Sequence, residues 1–479
     1  MSSSVLDGRA SHETWASELR AMLALAAPLV LTNLSQIALA TTDVIMMGWL
    51  GPDTLAAGAL GVNLNFAFQI FGMGLVTATS PLIAIELGAH RHAVREVRRT
   101  VHQGIWVAVS VALPVWFVLW HAEWILGWLG QKPELAHNSA RYLHTFQWSF
   151  LPFLIYLVLR NFVAALQRPL SALWISAAGI VVNATLVYVL MFGKLGLPAL
   201  GLPGAGISTT VTNIVMVLGL LGIIASDRRF RRYRLLGRLW EADWPRFREI
   251  WKIGLPIAFT MAFEVTVFNA AVFLMGILGA DSLAAHSIAI QIASVVFMVP
   301  LGLGNAATVR VGLAYGAGDR RGIGRAGWTA FVLGLGYACC TAAIILTSRR
   351  QLVGLFLDLD SAANQPVIAL AVSFLLYAGI FQLADAGQAV SSGMLRGLGD
   401  TRVPMLIAAL GYWCVGLPVG AALAFWTPLA GRGIWVGLAS GLATVALLMT
   451  TRWIMRERLG LTRADESLGA VSPAIHAVT

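Results

Sequence analysis

Cysteine is almost missing from this chain, with three residues in 479, Cys339, Cys340 and Cys414, each inside an apolar run. Adjacent Cys339 and Cys340 are poorly placed to bridge, and none of the three stands at metal-ligand spacing. A disulfide framework and a zinc site are therefore excluded. Charge is scarce too: 12% of residues are charged against 58% hydrophobic, about half the charged share of a typical soluble domain. A water-soluble fold is thereby excluded. There is no HExxH, no nucleophile elbow and no Walker loop, and the histidines are scattered, so the sequence predicts neither an enzyme nor a resident cofactor. The short alternating segments of a membrane β-barrel do not dominate either.

Long apolar runs fill the chain instead. Twelve of them, at 20–49, 54–87, 100–121, 140–166, 171–193, 203–225, 250–278, 283–315, 326–347, 366–394, 403–426 and 433–454, reach the roughly 20 residues needed to cross a bilayer as helix. The first is longer than a signal-peptide core and lacks a cleavage site, so nothing is read as removed. The net charge of +10 is concentrated in alternate connections. Arg91, Arg95, Arg98 and Arg99 follow the second run, the stretch SDRRFRRYRLLGRLWEADWPRFREIWK follows the sixth, and Arg320, Arg321 and Arg325 follow the eighth. Arg396 and Arg402 flank the end of the tenth, and Arg452, Arg456 and Arg458 close the last. Arg349 and Arg350 break the alternation. Basic residues mark the cytoplasmic side, which predicts a multi-pass protein of the inner (plasma) membrane with both termini cytoplasmic. The basic excess faces anionic membrane lipids, and no nucleic-acid partner is expected.

The chain is written twice. A shift of 228 positions lays Pro28 on Pro256, Thr32 on Thr260, Met47 on Met275, GWLGPDTLAA on GILGADSLAA, Gly74 on Gly302 and Ala78 on Ala306. Hydrophobicity alone does not reproduce shared Gly, Pro and Asp at one offset. The organisation expected is a tail at 1–19, a six-helix bundle at 20–226, a basic linker at 227–249, a second bundle at 250–455 and a tail at 456–479. Six is even, so the halves are parallel repeats about an axis along the membrane normal, with a central cleft between them. The fold class is an all-α membrane protein of twelve spanning helices in two homologous bundles.

Ionisable groups inside these runs are costly and mark function. Glu264 sits mid-run in PIAFTMAFEVTVFNAAVFLMG and Asp385 sits deep in AVSFLLYAGIFQLADAGQAVSSGMLRG. A shared proton or a bound cation would make two such carboxylates tolerable. The repeat breaks its symmetry here, because Glu264 aligns with Gln36 and Asp43 with Ala271. Asp43 has Thr41 and Thr42 beside it and Asn183 as a candidate partner, oxygen donors that suit either Na⁺ or a protonated acid. Arg160 reads as a side chain snorkelling to the membrane surface, with pairing inside the bundle as the alternative. Phe66, Phe68, Trp148 and Phe381 are candidates for cation–π contact with a lipophilic cation.

The segments FEVTVF, AAHSIAIQIASVVFMVPLGLGNAATVRVG, VHQG and IFQLADAGQAVSSGMLRGLGDT resemble the NorM branch of the multidrug and toxic compound extrusion (MATE) family over essentially the whole chain. The resemblance implies a monomeric antiporter that expels small lipophilic cations in exchange for Na⁺ or H⁺. It implies coupling-cation sites at Glu264 and Asp385, and at Asp43 with Asn183 and Thr209, with Na⁺ possible at either group. Phe381 stands where the NorM pattern has Tyr, and Val187 where related proteins carry Asn or Asp. Both departures remove oxygen donors and leave H⁺ coupling open. A flippase for a lipid-linked saccharide is the alternative on this architecture, but it requires several cationic side chains in the cleft.

Overall fold

A computed structural model describes residues 14–90, 93–237 and 239–462. Residues 1–13 and 463–479 of the expected tails, and the linker's residue 238 and Arg91, lie outside the described residues. Twelve helices are long and apolar enough to cross a membrane. They are α1 (Trp15–Trp49), α2 (Pro52–Ala89), α3 (Val94–Trp120), α4 (Pro133–Ala165), α5 (Leu170–Phe192), α6 (Leu202–Ser226), α7 (Trp244–Leu278), α8 (Ala280–Gly316), α9 (Arg320–Thr347), α10 (Ala362–Gly397), α11 (Arg402–Trp426) and α12 (Gly431–Ile454). Three are interrupted: α2 by a turn at Ala78, α4 by a 3₁₀ turn at Gln147–Ser149, and α11 by a π-helical segment at Leu410–Gly416.

The 228-residue repeat is visible in the backbone. Gly51 and Gly279, equivalent positions, turn the chain between the first and second helix of each half at φ 117 and 125, values that only glycine takes without strain. Thr32 and Thr260 each return a hydroxyl to the carbonyl of the preceding helix proline, Pro28 and Pro256, at 2.8 Å.

Each half has its own apolar core, but the first helix of each half crosses into the other. Met22, Leu25, Ala26 and Leu29 of α1 belong to the second half's core, and Ile250, Ile257 and Ala258 of α7 belong to the first half's. Glycines permit the crossing, as small residues do between membrane helices. Gly74 of α2 abuts the backbone of Ala258, and its equivalent Gly302 of α8 abuts Val30, the residue equivalent to Ala258. One layer further along, Gly88 meets the carbonyl of Leu313 and Gly316 that of Ile85, again the same pair after the shift. The side of the molecule that carries the linker is sealed by these contacts.

Ion pairs reinforce the seal with reversed polarity in the two halves. Glu18, at the start of α1 and 2% exposed, takes a two-point contact from Arg310 of α8, with one arm at 2.9 Å. The residue equivalent to Glu18 is Arg246, at the start of α7. It reaches Glu86 of α2 at 2.7 Å, Glu96 of α3 at 3.1 Å and Glu249 of its own helix at 2.9 Å. Such buried pairs need full hydrogen bonding to offset desolvation, and both have it.

The linker is pinned against α3 by the motif VHQG. His102 Nε2 bonds the Leu235 carbonyl at 2.8 Å, Gln103 donates to the Glu241 carbonyl at 3.0 Å, and Trp106 donates to the Leu239 carbonyl at 2.8 Å. Arg99 then pairs with Asp243, which caps α7. Burial pushes the Asp243 carboxyl up, but the Arg99 bond and the Arg246 backbone N–H outweigh it, so the group titrates below its ordinary value. A depressed carboxylate stabilises the folded state above its unfolded pKa, and the contribution is lost as pH falls through the lower folded value. Asp243→Asn is accordingly expected to lower the melting temperature at neutral pH and to make no difference in strong acid. Thermal unfolding of both proteins across that range checks it; an equal loss at every pH would rule the pairing out as the cause.

Candidate functional site

The first-half acid is fully partnered. Asp43 comes from α1 and is buried; Asn183 of α5 donates to its Oδ1 at 2.5 Å and Thr209 of α6 donates to its Oδ2 at 2.9 Å. Thr212 in turn donates to Asn183 Oδ1 at 3.2 Å, which fixes the amide so that its NH₂ faces the carboxylate. The three residues singled out in sequence are thus joined, whereas Thr42 bonds its own helix at Ala38 and Thr41 is exposed. Tyr142 of α4 joins them unannounced by the sequence. It is fully buried, its hydroxyl has no partner, and Asp43 is close enough for their charges to interact.

The second-half acids are built the opposite way. Glu264 on α7 is partly exposed and Asp385 on α10 is 4% exposed. The two interact electrostatically, yet neither makes a hydrogen bond or an ion pair with any described residue. Polar atoms near them are also unsatisfied: Gln382 Nε2 and Gln388 Oε1, one turn either side of Asp385 on α10, and the Tyr412 hydroxyl on α11, which feels the charge of both acids. Buried polar atoms without partners each cost about 1–3 kcal/mol, so a cluster of them beside two free carboxylates fits the chemistry of a site that takes in a cation or proton. No group of three His, Cys, Asp or Glu able to hold a metal occurs among the described residues. Any ion here would rest on carboxylate, amide and hydroxyl oxygens, donors suited to Na⁺ and other hard cations.

Phe381, the departure noted above, is buried edge-on between Phe268 at 6.0 Å and Trp435 at 5.7 Å. A hydroxyl is available from another helix. Tyr412 lies on the π-helical segment of α11, is 1% exposed, and feels the charge of both Glu264 and Asp385. Sequence reading missed it because a single Tyr inside an apolar run has no pattern, and the π turn that aims it inward is set by packing: Gly411 and Gly416 lie against Gly441 and Gly437 of α12. π-helical turns recur at functional sites. Tyr412→Phe is expected to weaken the half-saturating Na⁺ or H⁺ concentration for export several-fold with little change in melting temperature; an unchanged cation dependence would remove Tyr412 from the site. Of the proposed aromatic contacts, Phe66 is exposed and Trp148 is paired with Trp116 at 4.7 Å.

Arg160 is not at the membrane surface. Its Nη1 donates to Asn33 of α1 at 3.3 Å and its side chain lines a cavity between the two halves. The snorkelling expectation fails because α4 packs its last turns against α2, and Arg160 turns inward to Asn33 of α1.

The family model named MatE matches the chain twice, over residues 28–189 and 256–422. The chain belongs to the MatE family. The two matched segments are the two copies of the repeat, each a MatE unit. Among its relatives, a probable multidrug resistance protein NorM of Mesorhizobium japonicum is 55% identical over 94% of this chain and 97% of its own length. One of Brucella suis is 52% identical over 92% and 93%. The crystal structure of a eukaryotic MATE transporter shares the fold with TM-score 0.82 at 23% identity, covering 94% of this chain and 98% of its own. The two proteins share the twelve-helix fold.

Proposed function

We propose that this MatE protein is a secondary active efflux antiporter that exports lipophilic organic cations in exchange for Na⁺ or H⁺. The observation that carries the reading is the contrast between the halves. The Asp43 carboxylate is satisfied by its own bundle, while Glu264, partly exposed, and Asp385, buried, have no hydrogen-bond or ion-pair partner among the described residues. Unpaired buried carboxylates bind a positive partner or a proton, and relatives more than half identical carry the name of multidrug resistance proteins. The positive-inside rule makes the sealed linker side cytoplasmic, in the inner membrane with the basic linker against anionic lipid.

Exchange follows from competition. The coupling cation reaches Glu264 and Asp385 from outside and discharges the drug, and return to the other facing releases the cation inside. Only a difference in affinity between the two facings can drive this. Exchange of one coupling cation for one monovalent drug cation moves no net charge, so the concentration gradient of the coupling ion drives it, and each additional coupling cation would add about 2.3 kcal/mol per 100 mV. Asp43 with Asn183 and Thr209 is the second candidate cation site, and the protein acts as a monomer. The test is substrate-driven flux in proteoliposomes of the full chain: addition of a cationic dye on one side should drive Na⁺ or H⁺ the opposite way. Dye movement without either ion flux would end the antiport reading.

A further inference from the structure

Buried cations in this molecule generally have carboxylates. Arg310 has Glu18, Arg246 has Glu86 and Arg452 has Asp400 at 2.6 Å. Arg160 and Arg396 do not: neither makes an ion pair with any described carboxylate. Arg160 offers one long bond, to Asn33 at 3.3 Å, and its Nε is buried with no acceptor. Arg396 has one equally long bond, to Ser392 of its own helix. Ten guanidinium N–H groups are present on these two residues, and these two long bonds are all they show. Arg396 feels the charge of Glu264 without an ion pair to it, and Asp400, which shares a second small cavity with Arg396, is already held by Arg452.

The two arginines line one cavity of about 20 Å³, walled by Ser80, Arg160 and Asn161 from the first half and by Asn305, Thr308 and Arg396 from the second. No acid lines it. The Thr308 hydroxyl already donates to the Gly304 and Gly393 carbonyls, and the Asn161 amide donates to Thr79 at 3.1 Å. A water needs about 10–15 Å³ of such space, so the cavity takes the two oxygens of one carboxylate, with the rest of the molecule left at its open side. That is too small for a pyrophosphate. The site lies toward the linker from the acids, because Arg396 is close to the end of α10 at Gly397 and shares its second cavity with Thr260, one turn before Glu264 on α7.

We propose that Arg160 and Arg396 form a binding site for a carboxylate, shared between the two bundles, on the linker side of Glu264 and within reach of its charge, and distinct from Asp43. Guanidinium groups match a carboxylate with paired N–H donors, whereas a lone halide would use only part of that fork. Because the walls come from both halves, the ligand binds the form sealed on the linker side and stabilises it in proportion to its preference for that form. The carboxylate is either a free small anion or the acidic group of an amphoteric export substrate whose amine goes to the second-half acids.

The test starts with binding, which is independent of export. Thermal unfolding of the purified full chain is followed against acetate at constant Na⁺ and ionic strength, with a bulky sulfonate as the balancing anion. A saturable rise in melting temperature is expected, at least tenfold weaker in Arg160→Gln and in Arg396→Gln. Arg160→Lys, which keeps the charge but not the fork, should fall between. No saturable effect of acetate on the unmodified protein, or one that both Gln variants retain, overturns the proposal. The source is then decided in proteoliposomes with an amino acid-like amphoteric dye and its methyl ester. If the substrate supplies the carboxylate, Arg160→Gln raises KM for the acid at least tenfold, spares the ester, and acetate competes with the acid alone. If the anion is free, acid and ester respond to acetate alike. Loss of export with acetate binding intact would count against the antiport reading and leave this site standing.

Discussion

Glu264→Gln and Asp385→Asn are each expected to lower cation-driven export of a dye at least tenfold without lowering the melting temperature. Neither carboxylate makes a hydrogen bond or ion pair with a described residue, so a neutral isostere removes no close contact, Glu264→Gln giving up only the longer-range attraction of Arg396, and relieves the desolvation of a carboxylate. What it removes is the attraction for the coupling cation, about 1.5–3 kcal/mol for a contact with a charged group, which is a loss of about ten- to a hundred-fold. Asp43→Asn supplies the contrast. It disturbs the bonds from both Asn183 and Thr209, so stability should fall by about 2 kcal/mol whatever happens to transport. Parallel thermal unfolding and proteoliposome export of the three variants separate the cases. Parent-level export by both second-half variants, or destabilisation of Asp385→Asn equal to that of Asp43→Asn, would show that these acids serve the fold and not the coupling.

Arg310→Gln should open the linker side. It leaves Glu18, 2% exposed, without the two-point contact that holds it, and removing one partner of a buried pair costs about 3–5 kcal/mol. Because the pair joins α1 to α8 across the two halves, that energy is lost from the sealed form specifically. Glu18→Arg combined with Arg310→Glu restores the pair with its poles exchanged, the polarity that Arg246 and Glu86 already use at the other crossing. The readout is a cysteine placed at Ala84, fully buried in the seal against Gly312, in a background without the native cysteines. It should react with an impermeant maleimide in Arg310→Gln and be protected again in the exchanged double variant. Equal labelling in all three would show that the glycine contacts alone hold this side closed.

Much of this site could be read before folding because membrane burial makes each ionisable residue conspicuous. Glu264, Asp385 and Asp43 stand out against apolar neighbours, and the offset that lays Pro28 on Pro256 exposes the asymmetry between Glu264 and Gln36. Asn183 is legible as a polar residue in an apolar helix and Thr209 through the family resemblance, and both are found on Asp43. Tyr412 was not reachable, since its inward aim depends on a π turn created by glycine packing against α12. Nor was the company of Arg160, which is one arginine near a helix end in sequence and half of a cation pair once α4 and α10 meet at the same cavity.

The sequence by itself determined the twelve helices, their duplication and the identity of the acids, because the need to satisfy every backbone group within lipid leaves an apolar run of this length no choice but helix. Only the tertiary structure decided which of those acids has partners and which is left open, and that α1 and α7 each contribute to the other half's core. Those outcomes depend on contacts between residues more than a hundred positions apart, which local composition does not encode.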